Sequence, residues 1–437
     1  MSRACLSSSR PVRRVWLSLL IAVPLWIVGS DRVATGQQAT FRSSVDLIAV
    51  DVQVLDSSGR PSIGLGPEKF AVTISGKARR VVSADLIQHN PAQRSTGEIR
   101  SLAPVARNTF SAPTSEGRTF ALVVDVSSFD AAAWQRAMTA TRAFIARLHP
   151  SDSVGLYTYP AGPAFAPTTN QAAIARQLDV IVGLAHPFQS QFGLRPSEVV
   201  DITSEMVRLN AGYTGVRRDA DAGPGSATLA AVQERECPND SGCPARILMD
   251  AYAAAQEMEL QMNRSVEGLR GILDALIHLP GRKTVVLISA GMVVSDKPGG
   301  RPAADDLARA LGRQLAQSNA SIYTVHVDQS NREMYSATNK RASMTSSNFV
   351  RERSMRSRWL SEFSSASGGS LIHVETDDGE SALGQVLQET SAYYLLGVEP
   401  DTRDRDGRLR ELKVKVEPRA GLTVRHRMWV IVPPAKK

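Results

Sequence analysis

The stretch of sequence that decides the fold is FALVVDVSSF, at residues 120–129. Its first five residues are all apolar, which is typical of a strand covered on both faces. A short polar turn follows, and apolar residues spaced three and four apart then predict an amphipathic helix from about Asp130 to Leu148. A buried strand that leads through a polar loop into such a helix is a unit of an α/β fold.

The same alternation of strand and helix continues towards the C-terminus. Further strands are predicted at 154–159, 283–288, 322–327 and 370–374, and helices at 172–184, 248–276 (one long helix or a pair) and 307–315. Strands separated by helices predict a doubly wound, mostly parallel, Rossmann-like sheet. We expect this α/β domain to span residues 118–390, with inserts at 185–245 and 329–358.

Both flanks of the α/β region have the period-two pattern of β-structure. Val50, Val52 and Val54 alternate with polar residues in an N-terminal segment at 41–90, and a C-terminal segment at 391–433 alternates in the same way. Three or so strands alone make a poor domain. We therefore expect the two ends to form one small β-sandwich beside the α/β domain, with a linker at 91–117.

The N-terminus has the three-part pattern of a secretory signal peptide. A basic region leads into an apolar run at 15–28, and Ala34 and Gly36 provide small residues before a cleavage point. We predict removal of residues 1–36 and a periplasmic or secreted protein, with a retained N-terminal anchor as the alternative. Arg13 and Arg14 leave the twin-arginine export route open beside the general one.

Composition excludes several classes of protein. The chain has 437 residues, with 51 Lys and Arg against 43 Asp and Glu; five Arg and one Asp lie in the first 36 residues, which leaves 46 − 42 = +4 for the remainder. So small a surplus does not indicate nucleic-acid binding. After the signal, no apolar run approaches the roughly 18 residues that a membrane span needs.

Two of the three cysteines, Cys237 and Cys243, bracket a turn-rich loop. In an oxidising compartment such a pair predicts a disulfide, which we favour over a metal site because no further Cys or His lies nearby in sequence.

Three segments resemble a known family. The stretch at 122–129 resembles the start of a von Willebrand factor type A domain, and GRKTVVLISAG, at 281–291, resembles the fourth-strand segment of its bacterial members. With YYLLG at 393–397, the chain resembles secreted bacterial VWFA-related domain proteins over most of 41–432. The resemblance implies a ligand site above the carboxyl ends of the parallel strands, where open α/β sheets generally bind ligands.

Members of that family have a metal-ion-dependent adhesion site, and the resemblance implies such a site in this chain. Its pattern is Asp-x-Ser-x-Ser on the first loop, a Thr on a second loop and an Asp after the fourth strand, which together suit the hard oxygen coordination of Mg²⁺. Asp125 and Ser127 match the pattern, but Phe129 offers no oxygen, and Ser289 or Ala290 stands where the later Asp is expected.

For the remaining ligand positions of such a site, the sequence offers several candidate residues. Thr203 and Thr214 are candidates for the second-loop Thr, and Asp130 or Asp296 could replace a missing carboxylate. One carboxylate with one or two hydroxyls neutralises little of a dication's charge, so we expect no cofactor. Mg²⁺ or another divalent cation at Asp125 and Ser127 is the alternative.

We therefore predict a degenerate adhesion site at five residues: Asp125, Ser127, Ser128, Phe129 and Ser289. The competing interpretation is structural. In it, Asp125 accepts bonds from backbone amides or caps the following helix, and Ser127 and Ser128 stabilise the turn.

The sequence contains no recognisable nucleophile elbow, zincin motif or cofactor fingerprint. We therefore expect an exported, non-catalytic protein-binding module whose partner is an unidentified protein of the envelope or the cell exterior. A cryptic envelope hydrolase and a purely structural envelope component are the alternatives. A run of arginines before Trp359 is interpreted as the solvated start of a helix: Arg351, Arg353, Arg356 and Arg358.

Overall fold

The structure is a computed structural model of the chain. It describes residues 47–89, 117–185, 189–210, 224–297, 300–303, 307–329, 346–374, 379–417 and 421–434. The predicted signal peptide, most of the predicted linker and Thr214 lie outside the described residues.

The described residues form β-strands at both ends of the chain and an alternation of strands and helices between them. The strands are β1 (Ile48–Leu55), β2 (Phe70–Ile74), β3 (Lys77–Arg79), β4 (Val81–Gln88), β5 (Thr119–Asp125), β6 (Ser153–Tyr159), β7 (Ala164–Thr168), β8 (Lys283–Ser289), β9 (Ala320–Val327), β10 (Leu371–Val374), β11 (Ala392–Val398), β12 (Leu409–Val416), β13 (Thr423–His426) and β14 (Trp429–Ile431). The helices are α1 (Ala131–Ala146), α2 (Gln171–Gln177), α3 (Pro196–Asn210), α4 (Pro224–Glu236), α5 (Cys243–Ile277), α6 (Leu307–Ala310), α7 (Gly312–Ser318), α8 (Ser346–Ser367) and α9 (Gly379–Glu389).

The central sheet has six strands in the order β10-β9-β8-β5-β6-β7. All neighbours are parallel except β7, which is antiparallel to β6. Helices α1, α2 and α9 pack on one face, and α5, α7 and α8 pack on the other. Because both faces are covered, strands such as β5 need apolar side chains in both directions, which explains the unbroken apolar run. The predicted α/β class with a mostly parallel sheet is confirmed.

Two antiparallel sheets draw their strands from both ends of the chain. Their orders are β13-β1-β11-β4 and β14-β12-β2-β3. In the first sheet β1 lies between two C-terminal strands, pairing Val50 with Leu396 and Val54 with Val424. The alternating valines of β1 point into one core shared by the two sheets. Neither end of the chain could bury its apolar face alone, which is why the two ends fold together.

The long helix α5 and the predicted insert at 185–245 form a feature that the sequence pattern did not show. Helices α3 and α4 lie within the insert, and they pack against residues 243–258 of α5 around a core of their own. From Met262 onwards α5 packs on the central sheet instead. We call α3, α4 and residues 243–258 of α5 the helical arm.

One local prediction was wrong. The helix expected at 172–184 ends at Gln177 and continues as a 3-10 turn at Leu178–Val180 and then extended chain. The insert at 185–245 contains α3 and α4, and the insert at 329–358 contains the first half of α8. Tertiary packing supplies most of the stability of such helices, so α4 and α8 form although their own apolar periodicity is weak.

In the part of the chain that the structure describes, no helix combines the length and the apolar character needed to cross a bilayer.

Candidate functional site

The candidate site lies where β5 and β8 end side by side. These strands are parallel neighbours, with Val124 paired with Ile288, so the loops that follow them emerge at the same edge of the sheet. We call the loops at 125–130 and 289–291 the crown. It is the edge at which open α/β sheets usually bind ligands.

The central group of the crown is the carboxylate of Asp125, which is only 2% exposed. Ser127 Oγ donates a hydrogen bond to its Oδ1 at 2.7 Å, and Ser289 Oγ donates to its Oδ2 at 2.9 Å. Burial raises the pKa of Asp125 above its ordinary value, although the two hydroxyl hydrogen bonds act in the opposite direction. Both carboxylate oxygens are therefore already bound by side chains of the chain itself.

Ser128 stabilises the backbone of both crown loops. Its hydroxyl donates to the carbonyl of Asp125 at 2.8 Å and accepts from the amide of Ala290 at 2.9 Å. Its carbonyl accepts a hydrogen bond from Gln329 Nε2 at 2.9 Å. This is the turn chemistry that short hydroxyl side chains provide, here extended across two neighbouring strands.

Phe129 and Asp130 both serve the start of α1. Phe129 is fully buried in the core on the α1 face of the sheet, with its ring 6.0 Å from that of Trp134. Asp130 caps the helix, since its carboxylate accepts from the amide of Ala133 at 2.8 Å. Helix capping is thus carried out by Asp130 and not by Asp125.

Two other candidates for additional metal ligands, Thr203 and Asp296, lie outside the crown in hydrogen-bond networks of their own. Thr203 is fully buried within α3, where its hydroxyl donates to the carbonyl of Val199 at 2.7 Å. Asp296 accepts from Arg351 Nε at 2.7 Å. Among the described residues, no three His, Cys, Asp or Glu side chains are grouped closely enough to hold a metal ion.

Two crown contacts come from elements far away in the sequence. Ser265, a buried residue of α5, lies with its hydroxyl 3.2 Å from that of Ser127. The hydroxyl of Tyr159, at the end of β6, has no hydrogen-bond partner of ordinary geometry, but burial and the nearby Asp125 carboxylate raise its pKa well above its usual value. A lone Ser on a helix or Tyr at a strand end carries no sequence signal for such a role.

His326 also borders the crown. Its Nε2 donates to the carbonyl of Ala290 at 3.2 Å, and its Nδ1 lies 3.2 Å from Nδ1 of His373. Burial lowers the pKa of His326 to about 4, so the imidazole is neutral near pH 7.

An exposed apolar segment lies directly against the crown. After the 3-10 turn the chain is extended, and Leu184 N donates to the carbonyl of Val126 at 2.7 Å while Ala185 N donates to that of Phe129 at 2.8 Å. Side chains alternate along this segment: Ile181 is buried, whereas Val180, Val182 and Leu184 are 60%, 58% and 50% exposed. We call residues 180–184 the apolar segment.

The predicted disulfide is present. Cys237 and Cys243 are bonded and join the end of α4 to the start of α5 within the helical arm. The bond therefore closes a short loop at the edge of the arm.

The run of arginines before Trp359 does not form a solvated helix start. Arg351 binds two carboxylates, and Arg353 Nε lies 2.8 Å from Asp328 Oδ2. Only Arg358, paired with Glu362 four residues on along the same helix, is as exposed as the sequence interpretation required. The partners of Arg351 and Arg353 lie on other elements, which the local pattern of the sequence does not reveal.

Comparison with known proteins gives no family assignment. No family model matches the chain, and no curated protein is significantly similar to it in sequence.

The solved structures that match the chain include bacterial and human proteins. One is an aerotolerance-related membrane protein from Bacteroides fragilis NCTC 9343, with 13% identity, a TM-score of 0.29, and coverage of 62% of this chain and 98% of that chain. Another is the conserved hypothetical protein BatB from Bacteroides thetaiotaomicron, with 13% identity, a TM-score of 0.28, and coverage of 63% and 98%. The human COPII-coat protein Sec24c has 8% identity, a TM-score of 0.27, and coverage of 73% and 44%. Scores this low carry no information about function.

Proposed function

We propose that the chain is an exported, non-catalytic, von Willebrand factor A-related module that binds a protein partner without a divalent ion. Its A-like domain would span 118–390 between the two β segments, and it would act in the periplasm or outside the cell. The observation that carries the proposal is an exposed apolar segment lying against a crown whose buried carboxylate, Asp125, is already saturated by hydroxyls.

The arrangement at Asp125 argues against recognition through a shared cation. A metal bound there would have to displace the hydroxyl protons of Ser127 and Ser289 from the carboxylate, and it would gain no second carboxylate in return. Phe129 fills the core and has no oxygen to offer. A dication bound by so few hard ligands would keep most of its hydration shell, and its affinity would be low.

The apolar segment provides the alternative means of binding. Single exposed apolar side chains are ordinary, but here three lie close together: Val182 and Leu184 alternate with buried Ile181 in the extended chain, and Val180 precedes them at the end of the 3-10 turn. The hydrogen bonds from Leu184 and Ala185 to the loop at 126–129 hold that segment against the rigid sheet. A partner with an apolar surface would therefore meet a preorganised contact, which reduces the entropy lost on binding.

The arrangement of Ser289 does not favour the hydrolase alternative. Its hydroxyl is fully buried, donates to Asp125 and accepts from the amide of Gly291 at 2.9 Å. The neighbouring His326 donates its Nε2 proton to a backbone carbonyl, so it does not act as a base towards this hydroxyl.

The test is capture of partners from an envelope extract in the presence of EDTA. We expect the protein without its signal peptide to retain a specific partner, identified by mass spectrometry. The double substitution Val182→Asp with Leu184→Asp should weaken binding of that purified partner at least about tenfold, as removal of an interface anchor does. Val82→Asp is the matched control, because Val82 is 42% exposed on β4 of the sandwich.

Three outcomes would contradict the proposal. Binding that needs Mg²⁺ and disappears in Asp125→Ala would indicate a functional adhesion site. Labelling of Ser289 by a serine-hydrolase reagent would indicate an enzyme. Equal loss of binding in the control variant, or no partner in any extract, would favour a purely structural envelope component.

A further inference from the structure

The helical arm has an apolar core that excludes α8, the helix lying beside it. Residues of α3, α4 and the first half of α5 form that core, including Val199, Ile202, Val232 and Ile247. Partly buried Val293 is the one described member that comes from the loop after β8. The arm is thus a small unit within the domain, and its attachment to α8 depends on other contacts.

The first attachment is a buried ion pair between the start of the arm and α8. Arg195, just before α3, donates Nη2 to Glu352 Oε2 at 2.8 Å and Nε to Oε1 at 3.1 Å. Ser197 Oγ donates to the same Oε1 at 2.7 Å. Glu352 is only 4% exposed, so this carboxylate depends on its partners in the arm for neutralisation.

The second attachment is a four-charge cluster one residue away on α8. Arg351 Nη2 and Nη1 donate to Asp201 of α3 at 2.8 and 2.9 Å, while its Nε donates to Asp296 at 2.7 Å. Lys297 Nζ lies 2.5 Å from Asp201 Oδ1. Two cations and two carboxylates thus connect α3, α8 and the loop after β8, and their side chains are between 12% and 34% exposed.

The loop that supplies Asp296 and Lys297 begins at the crown. Gly291 of this loop has a φ of +81°, and a Cβ there would lie 2.3 Å from the carbonyl oxygen of Arg356 on α8. Val294 N donates to the carbonyl of Met355 at 3.2 Å. The loop therefore lies against α8 at Gly291 and is hydrogen-bonded to it at Val294, so it stays with α8 when the arm separates, and among its described apolar residues only Val293 loses contact with the core of the arm.

We propose that Arg195–Glu352 and the Asp201–Asp296–Lys297–Arg351 cluster form a charged latch, and that the helical arm opens from α8 as a unit when the latch is weakened. The arm keeps its own core when it opens, because α3, α4 and the first half of α5 stay packed together and the disulfide continues to join α4 to α5. Opening leaves the central sheet folded, since α8 and the second half of α5 remain packed on it. The inference does not depend on the proposed binding function.

Native-state hydrogen exchange measured by mass spectrometry tests the latch. In Arg351→Gln, amides at the latch-facing start of α3 should exchange about tenfold faster or more, which is the effect of about 1.4 kcal/mol. Amides of β5 and β8 should not change. The matched control is Arg358→Gln, because Arg358 lies on the same helix but pairs only with exposed Glu362 among its described partners; this variant should match the parent everywhere.

A salt series on the unmodified protein gives a second readout that does not depend on a variant's folding. Raising the salt from about 0.05 M to about 1 M should accelerate exchange at the start of α3 by about two- to fivefold, because half-exposed ion pairs are partly screened. Equal acceleration in β5 and β8 would show that the arm is not a separate unit. Unchanged exchange at α3 in Arg351→Gln would show that the charges do not hold it.

Discussion

Two buried carboxylates at opposite ends of the central parallel sheet are held in different ways. At the amino end, Asp152 is paired with a cation: Arg118 Nη2 donates to Asp152 Oδ2 at 2.7 Å, and Asp152 is only 2% exposed. At the carboxyl end, Asp125 has no cationic partner among its described contacts and is surrounded by the hydroxyls of Ser127 and Ser289. Asp152 is therefore held by Coulombic pairing, whereas Asp125 is held by hydrogen bonds from neutral groups.

The amino end also carries the contacts between the sheet and the sandwich. Arg425 of β13 pairs with Glu389 of α9, and Tyr323 Oη donates to Gln53 Oε1 at 2.8 Å across the two units. Lys283, only 2% exposed, donates its ammonium to the carbonyl of Leu279, and burial lowers its pKa to about 8. The comparison of Asp152 with Asp125 shows that the same buried group can be held either by a cation or by neutral hydroxyls, and that the choice depends on what the neighbouring elements supply.

The largest effect is expected at the amino end. Asp152→Ala should lower the free energy of unfolding by about 3–5 kcal/mol, because it leaves the guanidinium of Arg118 buried without its carboxylate. Urea denaturation measures this change. Asp179→Ala is the matched control: its pair with Arg142 is 59% and 42% exposed, and its loss should cost no more than about 1 kcal/mol. Similar losses in both variants would remove the distinction between buried and exposed pairs.

A smaller effect is expected from acid at the carboxyl end. His326 titrates near 6.5 when unfolded, whereas burial lowers its pKa in the folded protein to about 4. Its stabilising contribution is present above pH 6.5 and is lost as pH falls towards 4, amounting to about 3 kcal/mol. Unfolding free energies measured from pH 7 to pH 4 should fall less steeply in His326→Gln than in the parent. Parallel curves would mean that folding does not lower the pKa of His326.

The smallest effect is expected at Asp125. Because burial raises its pKa, the folded protein binds the proton more tightly than the unfolded chain, and stability is lost as pH rises through the folded-state pKa. Asp125→Asn should therefore gain stability relative to the parent as pH rises above about 4. Millimolar Mg²⁺ should shift the melting temperature of neither protein. A rise with Mg²⁺ in the parent alone would show that the hydroxyl cage opens to a cation.

The strands and the sandwich were predictable because their signals are local. The apolar run at 120–124 required burial on both faces, and the alternating valines of β1 required one buried face. The roles of Ser127 and Ser128 in the crown turn correspond to the competing structural interpretation of these residues, whereas their predicted part in an adhesion site stays a prediction. The fully buried position of Phe129 was not predicted, because an apolar residue in a loop gives no indication of what it packs against.

The helical arm and its attachments were not predictable. Helix α4 has little apolar periodicity because it meets α3 and α5 through few apolar side chains: among its described residues only Val232 is buried and Leu229 is partly buried. Arg351 lies 150 residues from Asp201 and 55 from Asp296, so a run of arginines that reads as solvated is in fact half-buried. Similarly, Ser265 reaches the crown only because α5 passes beside it.

The sequence by itself determined which segments must be buried, because the transfer of apolar side chains out of water is favourable and does not depend on direction. Only the tertiary structure decided which polar groups meet, such as the hydroxyls that surround Asp125 and the carboxylates that bind Arg351. It also decided that the apolar segment lies beside the crown. The tendency to be buried follows from the chemistry of each side chain and from the spacing of apolar residues along the chain. Hydrogen bonds and ion pairs depend on both distance and direction between residues that the fold alone brings together.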